Sequence, residues 1–490
     1  MSQSPHIIVI CDDQHSPDCL GCAGHPLVQT PNIDSLAAEG VRFSQAYTTS
    51  PVCMPARSSL ITGLYPHNHG IYTNMTNLPR GTQTYLHHLQ ENGYRTAHIG
   101  KSHYYNYFNL GGYGCTHMRE MEGYLHELGI DDVHEVAGYW GSGAHWSGDD
   151  SKNSRFKPAD SYVTDYWRER GLLDAFREDY RKRRGLPFYQ AYPGVLGFED
   201  YLDSYVGKKA VEYVLEYERE HPLFLFVGFP GPHLPFDTPK EFVDLYDPAE
   251  TPAAIPAAAS NADLPDYISG LLDDGSFFND FRKAGKEIRP TPDEVARMRA
   301  SYYGKTTLVD HWIGKIFAAC TERGIDNDTI FVFLSDHGEM LGDHNRIEKN
   351  CFYDSSVRIP MIIRHPLLGK KGSVSDSFIE LIDLFPTLIE LAGLDPASIG
   401  SGASFANVVR ENAAEHRGFA YSEGIHGYMV RDREYKYAVT RKGDGFMLFN
   451  TESDPNEQRN LAGRPEFDKI ERARRDLLLS RLASTPNMEQ

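Results

Sequence analysis

The sequence predicts an α/β protein: a large, mainly parallel mixed sheet sandwiched by helices, followed by a small C-terminal α+β domain carrying an antiparallel sheet. Three observations carry this expectation. Short continuous apolar runs recur at Ile7–Ile10, Leu223–Val227 and Thr329–Leu334, as in strands covered on both faces. Helical patterns separate them, and strands alternating with helices imply parallel pairing. Beyond Gly393 the pattern changes to brief β-like runs divided by turn residues.

The first run ends in Cys11-Asp12-Asp13-Gln14, placing polar groups at the carboxyl end of a buried strand. Open α/β sheets bind ligands there. Asn32–Gly40 brings Ile33, Leu36 and Ala37 onto one helical face before a glycine stop. Cys53 stands at the mouth of a helix with Pro55 in its first turn and Arg57 one turn in. A helix N-terminus offers free N–H groups and partial positive charge to an anion. Thr82–Gly93, with Leu86 and Leu89, precedes a strand at Tyr94–Ile99 that leads into Gly100-Lys101-Ser102-His103. Residues 104–198 are rich in Tyr, Trp, Gly and charge with weak periodicity, as expected of an insertion over a cleft. Asp200–Glu220 is helical, with Tyr201, Tyr205, Val211, Val214 and Leu215 on its apolar face. The second apolar run leads into Gly228-Phe229-Pro230-Gly231-Pro232-His233, and residues 246–290 read as another long loop. Pro292–Cys320 forms a long helix ending near Gly324, and the third run delivers Ser335-Asp336-His337-Gly338. Tyr428–Val430, Tyr435–Val439 and Phe446–Phe449 are the strands of the small sheet. The expected division is residues 1–395 for the large domain and 396–490 for the small one.

Composition sets further bounds. Forty-nine basic against 68 acidic residues give a net charge of −19, which argues against nucleic acid or an anionic membrane as partner. An anionic substrate then needs a local cationic pocket. The seven cysteines, at 11, 19, 22, 53, 115, 320 and 351, do not make a disulfide framework. Cys19-x-x-Cys22 lacks the second pair a zinc site requires, so free thiols are expected. Met1–His6 leads straight into the first strand without a signal peptide, and no stretch has the length of a membrane span. The expected location is the cytoplasm.

Cys53-x-Pro55-x-Arg57, with Thr62-Gly63 following, resembles the signature of type I sulfatases of the alkaline phosphatase superfamily. The resemblance covers nearly the whole chain apart from the two long loops, and implies an alkaline-phosphatase-like fold. It implies that Cys53 is converted by a formylglycine-generating enzyme to formylglycine, whose hydrate is the nucleophile. "PHIIVICDDQ" resembles the strand bearing the first metal ligands, Asp13 and Gln14, with Asp12-Asp13 as the alternative register. Asp336-His337 in "SDHGEMLGDH" resembles the second ligand pair, and an oxygen of residue 53 completes the set. Such an oxygen-rich site suits one divalent cation, Ca²⁺ first, with Mn²⁺ or Mg²⁺ as alternatives. Lys101-x-His103 matches a family pair in which the lysine neutralises sulfate oxygens and the histidine touches the hydrate. His233 in "GPHLPF" resembles the histidine near the leaving-group oxygen, Lys349 resembles the second sulfate-binding lysine, and Asn74 sits where some relatives keep a polar substrate contact. In "LFNTESDPNEQRNLAG" Phe449 and Asn450 replace the family's Tyr-Asp.

The implied reaction is hydrolysis of a sulfate monoester to an alcohol and inorganic sulfate. His233 acts as general acid, and His103 takes the proton whose removal expels sulfate and regenerates the aldehyde. The rival is phosphonate monoester or phosphodiester hydrolysis, run by relatives with the same nucleophile and an Asp-Gln/Asp-His set. Those relatives tend to replace the Lys-x-His pair by neutral residues, whereas Lys101 and His103 are both present here. The substrate is expected to be a small sulfated sugar or aryl sulfate. Tyr139, Trp140, His145 and Trp146 could stack on such a ring, or equally serve the core or a homo-oligomer contact.

Overall fold

A computed structural model describes residues 4–143, 158–183, 186–187, 189–218, 220–257, 282–283, 286–287, 290–366, 368, 371–411 and 415–485. Eight strands form the main sheet: β1 (His6–Asp13), β2 (Val41–Phe43), β4 (Arg95–Gly100), β5 (Asp132–Glu135), β6 (Leu223–Pro232), β9 (Thr329–Ser335), β10 (Met361–Arg364) and β11 (Ser373–Ser375). Their order across the sheet is β11-β2-β10-β9-β1-β6-β4-β5. Only β10 runs against its neighbours, pairing antiparallel with both β9 and β2. Two-stranded pairs join β3 (Ala46–Tyr47) to β12 (Ile379–Glu380), and β7 (Arg282–Lys283) to β8 (Lys286–Glu287).

Alternation along the central strands builds two cores. Ile7, Val9, Phe224, Phe226, Ile330 and Val332 face one way and meet Ala56, Leu60, Leu86 and Leu388. Ile8, Ile10, Leu225, Val227, Phe331 and Phe333 face the other and meet Ile33, Val206, Leu308 and Ile316. Burying each such side chain contributes about 1.5–3 kcal/mol. The covering helices lie where the patterns predict them: Pro31–Glu39, Tyr85–Glu91 capped by Thr84, Leu202–Glu216 and Pro292–Glu322. Part of 104–198 belongs to the sheet itself, because β5 pairs with β4 as its edge strand. Residues 258–281 of the second loop lie outside the described residues, as do His145 and Trp146.

A four-stranded antiparallel sheet, β13 (Phe419–Gly424), β14 (Gly427–Asp432), β15 (Tyr435–Thr440) and β16 (Gly445–Asn450), comes next, covered by the helix Asp468–Ser484. The sequence patterns point to β14, β15 and β16 but miss β13 and this helix. Its core is shared with the main body: Tyr47, Tyr65 and Val357 pack with Tyr421, Val430, Tyr437 and Leu448.

Candidate active site

Strands β9, β1, β6 and β4 are adjacent and parallel, so their carboxyl ends open at one edge. That edge collects Asp336-His337, Asp13-Gln14, His233 and Lys101-Ser102-His103. The β4 end needs glycine. Gly100 has φ 101°, and a Cβ there would stand 2.1 Å from the carbonyl oxygen of Gly228. The two strand ends therefore touch, and the Lys101 N–H donates to that carbonyl at 2.8 Å.

A register shift after Cys11 turns β1 as it leaves the sheet, and Gln14 takes a left-handed φ of 68°. Asp12 and Asp13 part company there. Asp12 bonds His15 at 2.5 Å, while Asp13 faces Cys53, with Sγ 3.6 Å from its Oδ1. The ligand atoms of Asp13, Cys53, Asp336 and His337 lie within 4.8 Å of one another, all buried. His337 donates Nδ1–H to the Gly338 carbonyl, which turns Nε2 towards Cys53 Sγ, 3.1 Å away. Two buried carboxylates, an imidazole nitrogen and the neighbouring Gln14 amide fit a hard divalent cation.

Cys53 opens the helix Cys53–Thr62, all ten residues of which are buried. Burial and Asp13 push its thiol up, but Lys349, Lys101 and His337 outweigh them and hold it below the usual range. Arg57 lies behind it rather than in front. Its Nε donates to Asp336 Oδ2 at 2.7 Å and its Nη1 to the Lys101 carbonyl at 2.8 Å. Lys101 Nζ contacts Asp13, and Lys349 Nζ contacts Gln14 Oε1. Burial raises the Asp13 carboxyl, yet Lys101, His233, Arg57 and His337 hold it well below the carboxylate range.

Two further histidines, His103 and His233, line the cavity beside Cys53, and both are depressed well below the usual imidazole range. Burial, then Lys101 and Arg57, depress His103; burial, then Lys349, depresses His233. His233 Nδ1 bonds the Leu234 carbonyl at 2.5 Å, and its Nε2 lies 2.7 Å from Lys349 Nζ. Neither ring nitrogen of His103 has a hydrogen-bond partner among the described residues.

A cavity of about 430 Å³ lies over these groups. Cys53, Lys101, His103, His233, Lys349 and Asn74 line it, whereas Arg57 does not. Its walls are Met75, Tyr107, Phe108, Tyr139, Trp140 and Leu234. Sequence reasoning missed Tyr107. Its ring lies 4.7 Å from that of His103, and its hydroxyl borders the same corner as Lys101: a Cβ at Gly138 would stand 3.4 Å from Tyr107 Oη and 3.6 Å from Lys101 Nζ. Lys-x-His-x-x-x-Tyr has no helical or strand period that would have marked it. Glu339 was missed as well. Its carboxylate accepts from Gln14 Nε2.

The family model described as Sulfatase matches residues 5–394, and that of the N-sulphoglucosamine sulphohydrolase C-terminal region matches 342–483. An arylsulfatase of Clostridium perfringens is 29% identical, over 97% of this chain and 94% of its own. An N-acetylglucosamine-6-O-sulfatase of Bacteroides thetaiotaomicron is 25% identical, over 97% and 86%. The solved structure of a phosphonate monoester hydrolase of Agrobacterium radiobacter superposes with a TM-score of 0.76 at 24% identity, covering 98% of this chain and 95% of that one.

Proposed function

We propose, for a chain that belongs to the sulfatase family of the alkaline phosphatase superfamily, that it is a sulfuric ester hydrolase releasing inorganic sulfate from a small sulfate monoester. The observation that carries this is one cavity lined by Cys53 and by two lysines and two histidines. Asp13, Gln14, Asp336 and His337 would hold a divalent cation, Ca²⁺ by the chemistry of their donors, which supplies Lewis-acid polarisation. Residue 53, matured by a formylglycine-generating enzyme, supplies the nucleophilic oxygen. Lys101 and Lys349 hold charge on the non-bridging oxygens of the sulfuryl group. His233, its Nδ1–H committed to the Leu234 carbonyl, would in its protonated form donate from Nε2 to the departing alcohol oxygen, while Lys349 keeps its proton and its charge. His103 is the neutral base on the side of residue 53. Asn74, whose Oδ1 accepts from the Met54 N–H at 3.0 Å, turns its NH₂ to the substrate.

The fold likeness to a phosphonate monoester hydrolase and the Asp-Gln/Asp-His set favour phosphonate hydrolysis as a second reading. The Lys101-x-His103 pair weighs against it, and Lys101 with Lys349 makes the oxyanion corner cationic. All seven cysteines are free, and no helix among the described residues is long and apolar enough to cross a membrane. We assign the reaction to the cytoplasm on the free thiols. The test is kinetic, with an aryl sulfate and the matching aryl phosphonate side by side, after mass analysis of the peptide spanning Ser50–Arg57. Conversion of Cys53 and a sulfate preference are expected. A strong phosphonate preference, or an unaltered thiol in fully active enzyme, would sink the assignment.

A further inference from the structure

The amide of Gln14 has two chemically different ends, and only its oxygen can bind a metal. Something must therefore fix which end is available as a ligand. Glu339 stands beside it, 1% exposed. One carboxylate oxygen, Oε2, accepts from Gln14 Nε2. The other, Oε1, accepts from the N–H of Leu341 at 3.0 Å and of Glu348 at 2.5 Å. A carboxylate can only accept, so it holds the NH₂ end and turns Oε1 of Gln14 inward, where Lys349 Nζ meets it. The backbone of Gln14 is held independently, by its N–H donating to Asp336 Oδ1 at 3.2 Å. The same carboxylate thus orients the Gln14 amide and, through Glu348, holds the turn that presents Lys349.

We infer that Glu339 is the positioning residue that sets the Gln14 amide for cation binding, so that the neutral amide and the buried carboxylate act together as one anionic ligand. This rests on the reading of Asp13, Gln14, Asp336 and His337 as a metal centre. It has a consequence that a packing role would not have. Exchanging the two groups, Gln14→Glu with Glu339→Gln, keeps volume and charge and presents an oxygen whichever way the new residue 14 turns.

The test is calorimetric titration of Ca²⁺, with Mn²⁺ and Mg²⁺ in parallel, into chelator-stripped full-length protein. Groups that orient metal ligands typically control affinity by about 10–100-fold. Glu339→Gln, whose own amide no longer dictates the direction of Gln14, is expected to weaken binding by about that factor. The exchanged double variant is expected to recover most of the loss, a coupling that distinguishes orientation from general damage. Wild-type affinity in Glu339→Gln, or a double variant no better than the weaker single one, overturns the inference while leaving the metal centre standing. Absence of binding of all three cations by the wild type overturns the metal reading and the inference with it. Should Glu339→Gln fail to fold, the exchanged variant decides alone: folded with near-wild-type affinity supports the inference, and folded without binding refutes it.

Discussion

Arg57 is the clearest place to separate substrate binding from ligand orientation. The guanidinium is fully buried, bonds Asp336 at 2.7 Å and the Lys101 carbonyl at 2.8 Å, and comes no nearer to Asp13 than 3.8 Å. Burial opposes its charge, but Asp336 and Asp13 hold the guanidinium well above its usual range. Arg57→Ala leaves Asp336 buried without its ion-pair partner, a change that costs roughly 3–5 kcal/mol in proteins. Arg57→Lys keeps the charge, yet one ammonium lacks the fork that reaches both acceptors, and losing one charged hydrogen bond costs about 1.5–3 kcal/mol. Equilibrium guanidinium unfolding of chelator-stripped protein reads both losses. Kinetics on an aryl sulfate reads the second half of the argument. Because Arg57 does not line the cavity, kcat should fall while KM changes less than about threefold, the pattern of a group acting through its neighbours. An Arg57→Ala protein within about 0.5 kcal/mol of wild type would refute the buried-pair reasoning. So would a KM rise of about tenfold at unchanged kcat, which would mean that the guanidinium binds substrate itself.

Three further outcomes are expected. Tyr107→Phe removes one hydroxyl from the Lys101 corner of the cavity, so kcat/KM should drop by about fivefold, the value of roughly 1 kcal/mol per hydrogen bond; unchanged kinetics would show the phenol idle. Chelation should abolish turnover, and Ca²⁺ should restore it better than Mg²⁺, which sheds its water reluctantly and seldom takes a set of mainly protein ligands; full activity after exhaustive chelation would contradict this. Burial raises the Glu135 carboxyl from 4.5 to about 7, against hydrogen bonds from Ser102 and Tyr105. The folded protein binds this proton more tightly than the unfolded chain, so its stabilisation is complete below the unfolded value and is lost as pH rises through the folded one. That shift is worth about 3 kcal/mol, and Glu135→Gln should remove this pH dependence between about pH 4.5 and 7 in melting experiments; parallel pH curves for the two proteins would refute it.

The site is legible where chemistry sits at the end of a strong strand signal. Ile7–Ile10 and Thr329–Leu334 are unambiguous runs, and the polar stretches at their carboxyl ends, Asp12-Asp13-Gln14 and Asp336-His337, can be located from the sequence alone. The choice between Asp12 and Asp13 cannot be made from alternation, because it depends on the register shift and on the left-handed turn at Gln14. Strands β2, β10 and β11 have three or four residues each, and Ser373-Val374-Ser375 carries no apolar run. Asp132-Val133-His134-Glu135 reads as polar loop because an edge strand needs only one covered side. Glu339 and Gln14 lie 325 positions apart, a separation no local pattern spans.

The small sheet contributes to the site as well as to the fold. The loop at Asn350, where the cavity ends, bonds His426 at the β13–β14 turn across 3.1 Å, and its N–H donates to Pro51, two residues before the nucleophile. The Glu423 N–H on β13 donates to the Thr49 carbonyl at 2.9 Å, and its carboxylate accepts from the N–H of His67 at 2.8 Å. Lys436 on β15, fully buried, pairs with Asp354 and Glu457, and Glu457 in turn accepts the Asp354 N–H at 2.7 Å. These bonds grip both chain segments flanking the cavity, 47–53 and 349–357, so the entrance to the nucleophile helix is held from outside the main sheet. Backbone strain explains why it has to be. Gln14, His103, Glu348 and Asn350 all adopt positive φ around one site, each costing on the order of 1–3 kcal/mol. Such a cluster persists only where the surroundings over-determine it. The parallel sheet fixes Gln14 and His103 through β1 and β4, while Glu348 and Asn350 sit in a turn that no strand of that sheet supports. Their stability comes from Glu339 on one side and from the small sheet on the other.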